Sequence, residues 1–420
     1  MKVHFDKQKL LAAITPAAGI SQTKNTLVSV DGLLFECPPD PKYGEYDTDR
    51  DDLCRISAFD LEKGLRTSVE CEIEERGMYI INTVKILQII RAMPDGRVTI
   101  EVDDQCRVRI TGGQSSFDIT CSPGNEFPTM PMFIGEKIYT LPQYLLRELL
   151  SQTVYAIAVN DQRLAAINGA LFRIRGDQLM VVSTDTRRVA VAKCALPEGS
   201  PDAEVVIPGK FLGELMKLLH DTEDEVTMMV GRKHVIFKID QIYFFTRMIE
   251  AEFLDFERPL RMVYRTEVSV RSRDLLSAIE RASIVTEYKL GGTGSSPIKI
   301  EIADNSISLS SVSTGGSVFE RVPAAVNGAD ISIGFNCRYL LEALRAVPGD
   351  CETLRLRLNA PLLGMLVESA HGTFNYASPD DSALTYSADL ADGAESGKEG
   401  EDERQSTDFI NLILPVRLNK

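Results

Sequence analysis

Histidine and cysteine most often carry nucleophilic, acid–base or metal chemistry. In this chain their spacing serves none of these. The four histidines, His4, His220, His234 and His371, are isolated, and none stands in an H-E-x-x-H pair. The eight cysteines (Cys37, Cys54, Cys71, Cys106, Cys121, Cys194, Cys337 and Cys351) are scattered and form no C-x-x-C pair. Such spacing reads as reduced thiols, not as a zinc site or a disulfide framework. There is no G-x-S-x-G nucleophile elbow and no G-x-x-x-x-G-K-[ST] phosphate loop. The run Gly291-Gly292-Thr293-Gly294-Ser295-Ser296-Pro297 is rich in glycine, but no helical pattern follows it. It reads as a connection before a strand. The chain is expected to be no enzyme and to need neither cofactor nor metal.

Binding is the chemistry the remaining residues suit. Lysines and arginines recur beside apolar signatures of one form, two adjacent apolar residues and a third after a two-residue gap. Leu10-Leu11-x-x-Ile14, Leu145-Leu146-x-x-Leu149 and Leu275-Leu276-x-x-Ile279 make one set. Ile86-Leu87-x-x-Ile90, Phe211-Leu212-x-x-Leu215 and Leu340-Leu341-x-x-Leu344 make a second. The spacing gathers each trio on one helical face and leaves the cations on the other. The whole chain has a formal net charge of -15, which argues against a protein that grips nucleic acid through a basic surface. The helical segments nevertheless carry a positive balance within this acidic chain.

The elements between the signatures are strands. Ile298-Lys299-Ile300-Glu301-Ile302 alternates strictly, turns at Ala303-Asp304-Asn305-Ser306, and resumes at Ile307-Ser308-Leu309. Arg97 to Val102 with Arg107 to Ile110, and Val226 to Val230 with Val235 to Ile239, repeat the pattern. These read as antiparallel hairpins with one buried face. The expected fold is α+β, with three repeats of two helices and about eight strands, at 1–133, 134–263 and 264–420. Two segments break the rhythm. Residues 38–52 hold six acids and two bases, and residues 379–408 hold ten acids with Lys398 and Arg404. Both read as solvated, mobile inserts. No apolar run is long enough to span a membrane, and the N-terminus lacks the order of a signal peptide. A cytoplasmic location is expected.

The chain resembles the bacterial sliding clamp, the β subunit of DNA polymerase III. The segments that carry the likeness are Lys24-Asn25-Thr26-Leu27, Ile167-Asn168-Gly169-Ala170-Leu171-Phe172, Ser183-Thr184-Asp185-Thr186-Arg187-Arg188-Val189-Ala190, Val206-Ile207-Pro208-Gly209-Lys210, Gly334-Phe335-Asn336 and Leu414-Pro415-Val416-Arg417-Leu418. The resemblance implies three clamp-type domains and a head-to-tail homodimer that closes into a ring. Helices line its hole and duplex DNA threads it without sequence readout. The implied role is processivity: tethering the replicative polymerase, and meeting a clamp loader and other clamp-binding-motif proteins. The alternative is a divergent scaffold that binds partner peptides without encircling DNA.

DNA contacts are expected from Lys85, Arg91, Arg147, Lys210 and Lys217 on helices and from Lys24 on a loop. Gly209, Gln114 and Ser116 stand where the family often has basic residues, so weaker contact is expected. By resemblance, a partner-peptide pocket has walls from Ile167, Thr184, Thr186, Arg187, Arg188 and Val189. Further walls are Leu254, Arg258 and Pro259, then Leu412, Leu414, Pro415, Val416, Arg417 and Leu418. Its aliphatic surface suits leucine or phenylalanine anchors, with Arg188 and Arg258 bonding peptide carbonyls or acids. Thr186 and Arg187 replace the family's frequent Gly-His, and Leu254 its proline, which alters the expected shape. The acidic insert at 379–408 is expected to screen partners by charge. Ring closure is expected to bring Phe117 and Ile119 against Ile284 and Val285.

Overall fold

Asp6 ends the first strand, Lys2–Asp6, and starts the first helix: its carboxylate accepts the backbone N–H groups of Gln8 and Lys9 at 2.9 and 3.1 Å. An acidic cap of this kind satisfies donors that the first turn would leave open. The computed structural model describes residues 1–20, 31–37, 52–130, 136–261, 263–286, 297–313, 316–372, 374 and 404–418. Among these, α1 is Lys7–Ala18, α2 Thr83–Ala92, α3 Gln143–Ser151 and α4 Gly209–Leu218. The short α5 is Glu257–Leu260, and α6 Ser272–Ser283 and α7 Cys337–Arg345 complete the set. Asn82 and Asn336 cap α2 and α7 as Asp6 caps α1.

The six apolar signatures all lie in helices. In each, the first and last residues are buried, as Leu10 with Ile14 and Leu340 with Leu344. The middle residue is fully buried only in the second repeat, at Leu146 and Leu212; Leu11, Leu87, Leu276 and Leu341 are half-buried. It sits about 100° around the helix from its neighbour, at the flank of the buried stripe. Helix α3 stops at Ser151; the Thr153 hydroxyl donates to Leu149 O, and Val154–Ala156 continues as a 3-10 turn.

Eight strands fall in the first repeat, eight in the second and nine in the third, among the described residues. The three expected hairpins are present, as Arg97–Val102 with Arg107–Gly112, Glu225–Val230 with His234–Ile239, and Ile298–Ala303 with Ser306–Ser313.

The chain divides into two compact units, and the division runs through the second repeat. One unit, Met1–Tyr144 with Lys210–Met248, is built on a twelve-stranded sheet. In it, Ile242–Arg247 pairs antiparallel with Lys63–Glu75, so part of the second repeat extends the sheet of the first. Phe211 of α4 stacks on Phe244 at 4.1 Å beneath this sheet. The other unit, Leu145–Gly209 with Ile249–Lys420, holds a nine-stranded and a four-stranded sheet. Its nine-stranded sheet joins the second repeat to the third where Arg188–Ala195 pairs antiparallel with Asp408–Ile413.

The apolar run from Phe409 to Leu418 reads as a strand, but the strand ends at Ile413. Pro415 has no N–H to give a sheet. The chain instead leaves by Leu414, whose N–H donates to Arg187 O at 2.9 Å, and Val416, whose N–H donates to Gly334 O at 2.8 Å. Residues 21–30, 38–51, 291–296 and 379–403 lie outside the described residues, and with them Lys24, nearly all of the first insert, the glycine run and most of the second insert.

Candidate partner-binding site

The strands Gln178–Thr184 and Arg188–Ala195 form a hairpin in which Thr184 pairs with Val189. Its turn is made from side chains. Asp185 Oδ1 accepts the N–H groups of Arg187 and Arg188 at 2.9 and 3.1 Å. The Thr184 hydroxyl donates to Arg188 O at 2.7 Å and accepts the N–H of Thr186 at 3.1 Å. Thr186 itself has φ of +69°, in the left-handed region. That conformation suits glycine and costs a β-branched residue on the order of 1–3 kcal/mol.

Across the sheet, Val189 pairs with Leu412 and Val191 with Ile410, while Leu366 pairs with Leu412 from the far side. These side chains share one apolar cluster with Phe256 and Leu260, which flank and end α5, and with Phe374. The structure therefore gathers Val189, Leu412 and the segment that carries Leu254, Arg258 and Pro259. Val189 and Leu412 are the buried floor. Thr186, Arg187, Arg258, Leu414 and Arg417 are exposed, and Leu254, Pro259, Pro415, Val416 and Leu418 are half-buried. Leu414 is 37% exposed, and a side chain at Gly364 would strike both Leu412 and Leu414. Leu418 packs over Gly334. Ile167, in the 3-10 turn Ala165–Asn168, is 0% exposed and is core.

Arg188 departs from the expectation that it is free to bond a peptide. Its side chain is only 7% exposed. Nε donates to Asp185 Oδ2 at 3.1 Å, Nη1 to Glu342 Oε2 at 2.5 Å and Nη2 to Tyr155 O at 2.6 Å. The guanidinium lies over the rings of Tyr155 and Tyr339, at 5.0 and 4.6 Å. Burial pushes the Tyr155 phenol well above its ordinary range; its hydroxyl meets Asn411 Oδ1 at 2.8 Å. Arg258 remains exposed, as the peptide role needs.

Lys85, Arg91, Arg147 and Lys210 are exposed on α2, α3 and α4, and the structure gives them no ion-pair partner among the described residues. Lys217 is exposed but bonds Glu214 at 2.8 Å. Phe117 (39% exposed) and half-buried Ile119 lie on Ser115–Pro123. Among the described residues, the part of that strand from 115 to 120 pairs on one side only, with Arg107–Gly112. Ile284, just past α6, is 82% exposed, and Val285 is half-buried. Phe319 and Val312 are exposed too; Phe319 lies on Gly316–Pro323, an end strand of the four-stranded sheet.

Three family models match in order: the DNA polymerase III beta subunit N-terminal domain at residues 1–131, its central domain at 140–255 and its C-terminal domain at 263–375. The chain belongs to the DNA polymerase III beta subunit family. A beta sliding clamp from Staphylococcus aureus (strain Mu50 / ATCC 700699) is 29% identical over 280 residues, covering 66% of this chain and 73% of that one. The DNA polymerase sliding clamp of Bacillus subtilis has the same fold, with a TM-score of 0.83 and 23% identity over 100% of both chains. So does the sliding clamp of Pseudomonas aeruginosa in its structure bound to griselimycin, with a TM-score of 0.80 and 23% identity over 100% of both chains.

Within this beta-subunit fold, several residues of the site escaped the sequence. Tyr155, Tyr339 and Glu342 surround Arg188 from positions distant along the chain, and no local pattern marks Tyr155 or Glu342. Phe256, Leu260 and Phe374 complete the floor.

Proposed function

We propose that two copies of this chain close head to tail around duplex DNA and tether the replicative polymerase during synthesis, doing no chemistry of their own. The observation that carries this reading is a sorting of charge. In a chain of net charge -15, Lys85, Arg91, Arg147 and Lys210 stand exposed on three of the repeated helices, with no ion-pair partner among the described residues. Cations so placed meet phosphates without reading bases, and an acidic remainder repels DNA from other faces. Enclosure then retains DNA that the modest cation count would not hold. The 115–120 part of the strand Ser115–Pro123, paired on one side among the described residues, and the exposed Ile284 and Phe319 support the closure, as edges that a second copy would cover.

The reading keeps three domains, 1–133, 134–263 and 264–420, and a cytoplasmic location. Among the described residues no helix is long and apolar enough to cross a membrane. The floor of Val189 and Leu412 under a rim of Leu254, Arg258 and Leu414 is the site for extended peptides of the polymerase, the clamp loader and other partners. Griselimycin, the ligand of the Pseudomonas clamp, is expected to bind there.

Topology supplies the test. The protein is loaded onto nicked circular DNA by its own clamp loader, and the circle is then cut once. Release from the linear form, with retention on the uncut circle, is the expected result. Equal retention on both would overturn the ring.

A further inference from the structure

Strain and restraint meet at one turn of the partner site. Thr186 is held at φ +69°, and such a conformation persists only where its surroundings over-determine it. The Thr184 and Asp185 side chains close the turn, and Arg188 anchors it to the rest of the fold. Asp185 accepts the Arg188 backbone N–H and side-chain Nε together. The two remaining nitrogens of the fork tie the turn to elements remote in sequence, Tyr155 O beyond α3 and Glu342 on α7. The same turn presents Arg187 O to the N–H of Leu414, so it also sets the position of the exposed apolar side chain on the rim. A planar fork buried against two tyrosine rings is a rigid anchor, and it offers little surface to a ligand.

We propose that Arg188 is a positioning residue of the partner site: it holds the strained turn, and through it Leu414, in the geometry a partner peptide meets, and it does not touch the peptide. This rests on the reading of the rim as the peptide site. It replaces direct recognition at Arg188 with recognition at the groups it places.

Thr186→Gly separates the two roles, because it removes the strain without removing the fork. Griselimycin affinity is measured by calorimetry for the full-length protein, Arg188→Met, Thr186→Gly, the double variant and Leu414→Asp. Arg188→Met is expected to weaken binding about tenfold, a loss that corresponds to one factor of ten in Kd. In the Thr186→Gly background the same change is expected to cost no more than about threefold, since a relaxed turn needs less holding. Equal losses in both backgrounds would mean direct contact and overturn the proposal. Urea unfolding of the parent and the three turn variants gives a second readout, in which the same coupling is expected without ligand. Should Arg188→Met not fold, Arg188→Lys takes its place: it keeps the charge, loses the fork, and carries the same expectation. Leu414→Asp is the control for the site itself. If it leaves binding unchanged, or if the parent protein does not bind, the site reading fails and the inference with it.

Discussion

His234 begins its strand directly across from Arg247, follows Lys233, and sets its ring edge-on to Phe245 at 6.4 Å. Burial first, then those two cations, hold its imidazolium pKa below the ordinary 6.5. The folded state therefore disfavours the proton that the unfolded chain accepts. The resulting stability is complete above pH 6.5 and is lost as pH falls through the lowered folded pKa. Urea midpoints at pH 7.5 and 5.5 should fall further for the parent protein than for His234→Gln; parallel declines would refute this. Single-residue properties of this sort were mostly illegible in the sequence. Thr186 was visible as a threonine in a family glycine position, but its positive φ depends on the Asp185 and Thr184 side chains that close the turn. Arg188 was visible as a basic wall residue. Its real surroundings arrive from Tyr155 and Glu342, separated from it by 33 and 154 positions, and spacing does not encode such meetings.

The elements were far more legible, because helix and strand periods act over a few residues. All six apolar signatures and all three hairpins are where alternation put them. What alternation omits is which strand neighbours which, since that is settled by side chains across a sheet. Gly64 shows the cost. It pairs with Phe245 across the junction of Lys63–Glu75 and Ile242–Arg247, and a Cβ there would sit 2.4 Å from the phenylalanine ring and 2.9 Å from Ala58 O. The ring fills the space a side chain would need. Gly64→Val should therefore destabilise this unit by about 1–3 kcal/mol through overpacking, measured as a lower urea midpoint with an unchanged slope. A neutral result would mean the ring relocates freely. The end at Ile413 belongs to the same scale: an apolar run predicted a strand, and Pro415, with no N–H to lend, ended it early.

For the whole molecule, net charge taken alone pointed away from DNA, and only its placement reversed the inference. Closure is the property most open to a single test. Ile284→Ala with Val285→Ala removes apolar surface from the proposed junction while sparing the buried face of α6. The double variant is expected to be monomeric at nanomolar concentration by sedimentation, where the parent is a dimer. A variant that stays dimeric places the junction elsewhere.

One arrangement at this scale has mechanical meaning. Arg281, Arg338 and Arg345 of α6 and α7 are each leashed to a carboxylate, Glu320, Glu342 and Glu280. Lys85, Arg91, Arg147, Lys210 and, on α6, Arg273 carry no such leash among the described residues. For a body that must travel along a polyanion, the free cations are the bearing surface and the leashed ones are a reserve, since a phosphate engages them only by displacing a neighbour already in place. Friction during travel is then set by the unleashed cations, and freeing a leashed arginine, as in Glu280→Gln, would raise it.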